Sequence, residues 1–118
     1  MTLITAAQRR KLLENGRAQR EAIDRQDQVL DFEPVVKLFT ADGNAAWLLT
    51  ELNPDIDLAF GLCDLGHGEP ELGYVSLAEL TATRGPLGLP LECDFHFAPT
   101  LTISVYAERA REHRRIIT

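Results

Sequence analysis

Residues 35–76 read VVKLFTADGNAAWLLTELNPDIDLAFGLCDLGHGEPELGYVS, and their punctuation decides the fold. Apolar and aromatic runs of strand length alternate with clusters of Asp, Gly, Asn and Pro, the pattern of a small antiparallel meander. A two-residue turn at Asp42-Gly43, where glycine supplies a positive φ, sets Phe39 opposite Ala46 and Leu38 opposite Trp47. Strict alternation then puts Val36, Leu38, Trp47, Leu49 and Glu51 on one face and Val35, Lys37, Phe39, Leu48 and Leu52 on the other. Both faces are mostly apolar, so the sheet needs cover on both sides or a partner on one. A third strand over Leu58–Asp64 and a fourth over Glu71–Val75 complete the meander, with Gly73 inside the fourth.

Working outward, Thr5 and Gln8 have the spacing of a capping box and predict a helix start. Leu12 and Leu13 supply an apolar stripe, and Asn15-Gly16 is a plausible stop, because both residues tolerate a left-handed backbone. Arg17 to about Arg25 is then either a continuation past a tolerated glycine or a second, thinly packed helix. Ser76 and Glu79 repeat the capping-box spacing before a short helix. Leu91–Phe97 alternates as an edge strand or extended segment, and a last helix, capped at Thr102 or Ser104, buries Val105, Tyr106 and Ala110. The expected fold is α+β: one domain over residues 1–118, with a helical segment over 1–26, a meander of four to five strands centred on 35–76, and a C-terminal helix over 102–115.

The chain is 118 residues, 45% hydrophobic and 25% charged, a mix that fits a globular domain rather than a disordered chain. The longest apolar run is far short of the ~20 residues of a membrane span, and the first basic residues follow the N-terminal apolar patch instead of preceding it. A cytoplasmic protein with no membrane association is expected. Two cysteines, Cys63 and Cys93, are too few for a disulfide framework. The net charge of −6 is segregated. Residues 1–25 and 109–118 each carry an excess of three positive charges, and residues 26–108 set fourteen carboxylates against Lys37 and Arg84. The basic ends are expected to dock on the acidic middle rather than to serve nucleic acid.

The blocks Val36–Thr40, Trp47–Leu52 with Pro54, Phe60–Gly66 and Pro70–Ser76 resemble a bacterial family known as domain of unknown function 2958. The similarity runs from the LLENG segment near Leu12 to the helix around Ala107-Glu108, with His67 and Cys93 outside the pattern. It implies a chain carried on conjugative plasmids and integrative elements, with an accessory role in a mobile element's life in its host and no particular activity.

Several constellations carry chemistry by residue type. Glu51, Asp57, Asp64 and Glu71 fall at or near strand ends, where carboxylates can converge on Mg²⁺ or share a proton. The commoner use of such residues is as solvated loop acids or caps of backbone donors. Cys63 with His67, and Cys93 with His96, have the ligand types of a zinc site, but the two spacings differ and single strands form no knuckle. Trp47, Phe60, Tyr74 and Tyr106 are expected in the core rather than on a platform for bases. No nucleophile elbow and no phosphate loop with its lysine is present, and no cofactor is expected. Three functions follow. The first is a non-enzymatic module that binds a protein partner through an acidic surface with Asp57, Asp64, Glu69 and Glu71. The second is a metal-assisted hydrolase using Glu51, Asp64 and Glu71, with Tyr74 or His67 as proton donor. The third is nucleic-acid binding through the basic terminal helices.

Overall fold

The computed structural model describes residues 2–118. The first helix, α1 (Ala6–Asp24), starts at the expected capping box. Thr5 Oγ1 accepts from the Gln8 amide at 3.0 Å, and Gln8 Oε1 accepts from the Thr5 amide at 2.8 Å. Of the two readings at Asn15-Gly16, a stop or a continuation past a tolerated glycine, the second holds: α1 runs through both residues as one helix, and both are buried. Tertiary contact outweighs their weak helix propensity. The helix ends where Gln26 takes a left-handed backbone, φ 59°. The amides of Gln26 and Asp27 then close on the carbonyls of Ile23 and Ala22, a Schellman ending built without glycine.

Five strands form: β1 (Val36–Thr40), β2 (Ala46–Leu52), β3 (Ala59–Asp64) and β4 (Glu71–Val75) near the expected positions, and β5 (Leu91–Cys93), which ends short of the expected Phe97 because the chain turns at Asp94, whose side chain accepts from the His96 amide and whose carbonyl accepts from the Phe97 amide. They form one antiparallel sheet in the order β4-β3-β2-β1-β5. The hairpin register is as expected, Leu38 opposite Trp47 and Phe39 opposite Ala46, but its turn is not. The Thr40 amide donates to the Ala45 carbonyl and the Ala45 amide to Thr40 Oγ1, leaving a four-residue loop over 41–44. Gly43 has no positive φ. Asp42 is drawn instead to the 84–90 loop, where its Oδ2 accepts from the amides of Leu87 and Leu89.

Alternation also fails at one place. The β2–β3 register shifts between Leu49 and Glu51, so that Thr50 is an inserted bulge residue. Past the bulge Leu52 pairs with Ala59 and joins Val36, Leu38, Trp47 and Leu49 in one core, while Glu51 pairs with Phe60 and changes sides. This reverses the faces expected for Glu51 and Leu52.

Both faces are covered. Leu12 of α1 and Leu77 and Leu80 of α2 (Leu77–Ala82) close one core. On the other face Ile103, Tyr106, Ala107 and Ala110 of α3 (Ile103–His113) pack on Leu48 and Leu62. The caps of the later helices reach far along the chain. Ser76 Oγ accepts from the Glu79 amide as expected, but Asp57 supplies the remaining acceptors, for Ser76 Oγ and the amides of Leu77 and Ala78. Asp31, a residue of the 27–34 connection, accepts from the Ser104 amide and from the hydroxyls of Ser104 and Thr102 at the start of α3.

Trp47 is 4% exposed at the centre of the α1 core. Trp47→Ala is expected to cost about 3–5 kcal/mol in a urea melt, as large aromatic truncations in cores do.

Candidate interaction surface

The carboxylates proposed for chemistry do not converge. Asp64 is buried, and its oxygens accept from the amides of Gly66 at 2.9 Å and Ile116 at 3.1 Å. It ties the C-terminal tail to the end of β3. Asp57 is committed to the α2 cap, and the hydrogen bonds from the Ala78 amide and the Ser76 hydroxyl hold its carboxyl below the usual range. Glu51 and Glu71 sit on opposite faces, because their partners Phe60 and Cys63 are three residues apart on β3. Glu51 and Asp64 lie in rows four residues apart, about 13 Å along the strand. Among the described residues, no group of three or more His, Cys, Asp or Glu side chains is placed to hold a metal ion.

The two thiols are equally far apart. Cys63, Trp47, Leu38 and Cys93 form one cross-strand row, which separates the sulfurs by three strand spacings, about 14 Å. One tetrahedral ion cannot reach both, and His67 and His96 are exposed on separate loops. Burial pushes the Cys63 thiol up to about 11 and raises Cys93 as well, which works against thiolate chemistry.

The basic ends are split by the sheet. Arg10 and Arg17 belong to α1 on one face, and the arginines of α3 and its C-cap lie on the other, so they form no continuous cationic surface. The expected docking onto the acidic middle is met only in part. Among the described residues Arg20–Asp55 joins the basic N-terminal segment to the sheet loops, Arg25–Asp27 and Lys11–Glu14 are local, and Arg109, Arg111, Arg114 and Arg115 make no ion pair. No helix among the described residues is long and apolar enough to cross a membrane.

Within the sheet, the exposed large apolar side chains lie on β4. Leu72 is 38% exposed and Tyr74 68%, against the expectation that Tyr74 lies in the core. Trp47 and Tyr106 are buried as expected, and Phe60, half-buried, meets Tyr74 with ring centroids 5.0 Å apart. Glu69 is exposed just before the strand, Glu71 is exposed on the face opposite Leu72 and Tyr74, and β4 has a strand neighbour on one side only. In the same cross-strand row as Phe60 and Tyr74 lies half-buried Glu51. Its polar contact is Gln19 Nε2 at 3.3 Å, and Gln19 also clamps the backbone of Leu30 through its amide nitrogen and oxygen. Desolvation raises the Glu51 carboxyl above its ordinary value, and the bond from Gln19 offsets part of that.

A raised folded-state pKa means the fold favours protonated Glu51. Stability is therefore lost as pH rises from the ordinary carboxyl value through the raised one, and stays lost above it. Glu51→Gln is expected to be more stable than the parent at pH 7, with the difference fading below about pH 4, the ordinary glutamate value. Urea midpoints at the two pH values check this, and a parent protein more stable at pH 7 would contradict it.

No curated protein and no solved structure matches the chain. A family model described as a protein of unknown function (DUF2958) matches residues 3–117, nearly the whole of it, so the chain belongs to that family.

Proposed function

We propose that this chain is a non-enzymatic interaction module that binds a protein partner along the β4 edge, with Glu69 and Glu71 as the acidic flank and Leu72 and Tyr74 as apolar anchors. One observation carries the reading: β4 is five residues of open edge with two exposed large side chains and a single charge in the strand. Folded proteins usually blunt such an edge. The other edge is blunted: β5 is three residues long, and its entrance is bridged by Arg84 and Pro90. An extended partner segment gains main-chain hydrogen bonds on an open strand and specificity from alternate side chains. The acidic flank would add attraction for a cationic group of the partner lying outside the paired strand. Asp57 and Asp64 leave the earlier acidic set, because their oxygens are engaged inside the fold. An accessory role on a conjugative plasmid or integrative element, as the family resemblance implies, fits a module that acts by binding.

Hydrolysis draws no support from the placement of Glu51, Asp64 and Glu71, and binding of a nucleic-acid duplex draws none from arginines divided between two faces. The test is a photo-crosslinking residue at position 74, with a control at exposed Glu21 on α1, in host cytosol. Protein adducts at 74 that are absent at 21 are expected. No adduct at 74, or the same adducts at both positions, would overturn the reading.

A further inference from the structure

We infer that the β4 edge is completed by a second copy of this chain, paired antiparallel about a two-fold axis at Gly73. The inference rests on β4 being the binding edge and names its occupant.

The direction of each backbone group follows from two hydrogen bonds. The Asp94 amide donates to the Lys37 carbonyl at 2.9 Å, so Leu38 and Cys93 are a non-hydrogen-bonded pair and the polar groups of Phe39 point at β5. Those of Leu38 and Thr40 therefore point at β2, in agreement with the Thr40 amide on the Ala45 carbonyl at 3.0 Å. Carried through the register across β2 and β3, the alternation turns the groups of Glu71, Gly73 and Val75 toward β3. The N–H and C=O of Leu72 and Tyr74 face outward, where the sheet has no further strand.

Around Gly73 the strand Glu-Leu-Gly-Tyr-Val is matched to itself. A two-fold there pairs Leu72 of one copy with Tyr74 of the other, twice, and the outward groups form four N–H to O=C bonds with none left over. Gly73 meets its mate in a non-hydrogen-bonded pair, where Cα atoms approach to about 4.5 Å. The strand is bare at that point, with nothing within 4 Å of where a Cβ would stand. Charge favours this pairing as well. Glu71 falls opposite Val75 of the other copy, whereas a parallel pairing would stack Glu71 on Glu71, and like charges directly opposite destabilise a sheet. On the outer face Tyr74, already against Phe60, becomes enclosed between Phe60 and the other copy's Leu72.

Sedimentation of the purified chain up to about 500 µM, a range that reaches interfaces of modest area, is expected to approach twice the 13.2 kDa of one chain. The variant Leu72→Lys/Tyr74→Lys sets lysine against lysine in both pairs and is expected to dissociate at least about tenfold more readily. Leu72→Lys/Tyr74→Glu sets lysine against glutamate and is expected to restore the dimer and make it sensitive to salt. Both positions are exposed in the single chain, so circular dichroism should show both variants folded. A parent chain that stays monomeric at the highest concentration, or a Lys/Glu variant no more dimeric than the Lys/Lys variant, would overturn the inference. Amide hydrogen exchange separates the two levels. A monomer with fast exchange at Leu72 and Tyr74 and slow exchange at Gly73 and Val75 removes the second copy but keeps the open edge. Slow exchange at Leu72 and Tyr74 in a monomer removes both.

Discussion

The fold depends on how closely α1 can approach the bulge in β2. The Thr50 carbonyl at the bulge accepts from Asn15 Nδ2 at 2.9 Å, and the Thr50 hydroxyl donates to the Phe60 carbonyl at 3.2 Å. Thr50 is fully buried, so a missing partner here would cost about 1–3 kcal/mol. Reaching that carbonyl brings the helix backbone onto the strand: a Cβ on Gly16 would stand 1.9 Å from the Leu52 carbonyl oxygen. Asparagine supplies the bond and glycine supplies the room. The bulge in turn sends Leu52 into the core with Leu12 and turns Glu51 to the row of Phe60 and Tyr74. The exposed side of the molecule is thus shaped by a helix packed on its opposite face.

The acidic middle of the chain has a structural use that its total charge conceals. Asp31, Asp42, Asp57 and Asp64 each accept at least one backbone amide, from segments up to 73 residues away. They fasten the start of α3, the 84–90 loop, the start of α2 and the C-terminal tail. Carboxylates that accept backbone N–H groups form strong, directional ties, and these four join the connections to segments distant in the chain. Among the described residues, the arginines of the C-terminal helix make no ion pair with them. For Asp31, partial burial pushes the carboxyl up, but the bonds from Ser104 and Thr102 outweigh it and leave it lowered. Lowered Asp31 and Asp57 contribute stability that is present above the ordinary aspartate value and lost as pH falls through the lowered ones.

Features set by local chemistry were legible in the sequence: the capping box at Thr5 and Gln8, the boundaries of β1 to β4, the pairing of Leu38 with Trp47, the Ser76 cap. Those set by distant contact were not. Asn15-Gly16 has the chemistry of a helix stop, and only its place under β2 makes it a docking point. Nothing near Thr50 marks a bulge, and a single inserted residue inverts the faces of Glu51 and Leu52. Asp42-Gly43 has the composition of a tight turn, yet the amides of the 84–90 loop claim the Asp42 side chain. The openness of β4 was half visible, since the last strand of a meander lies at an edge unless a later strand covers it. Strand β5 adds at the opposite edge, beside β1, and so leaves Tyr74 in solvent. That placement depends on the crossing of the α2 segment, which local composition does not encode.

The seat of α1 on the β2 bulge is tested most directly by Gly16→Ala, followed by urea unfolding at neutral pH. Helix propensity alone would make alanine more stable by about 1 kcal/mol at a mid-helix position. The close approach to Leu52 reverses the sign, and a loss of about 1–3 kcal/mol is expected, the range of overpacked cores. An unchanged or stabilised Gly16→Ala protein would contradict the account.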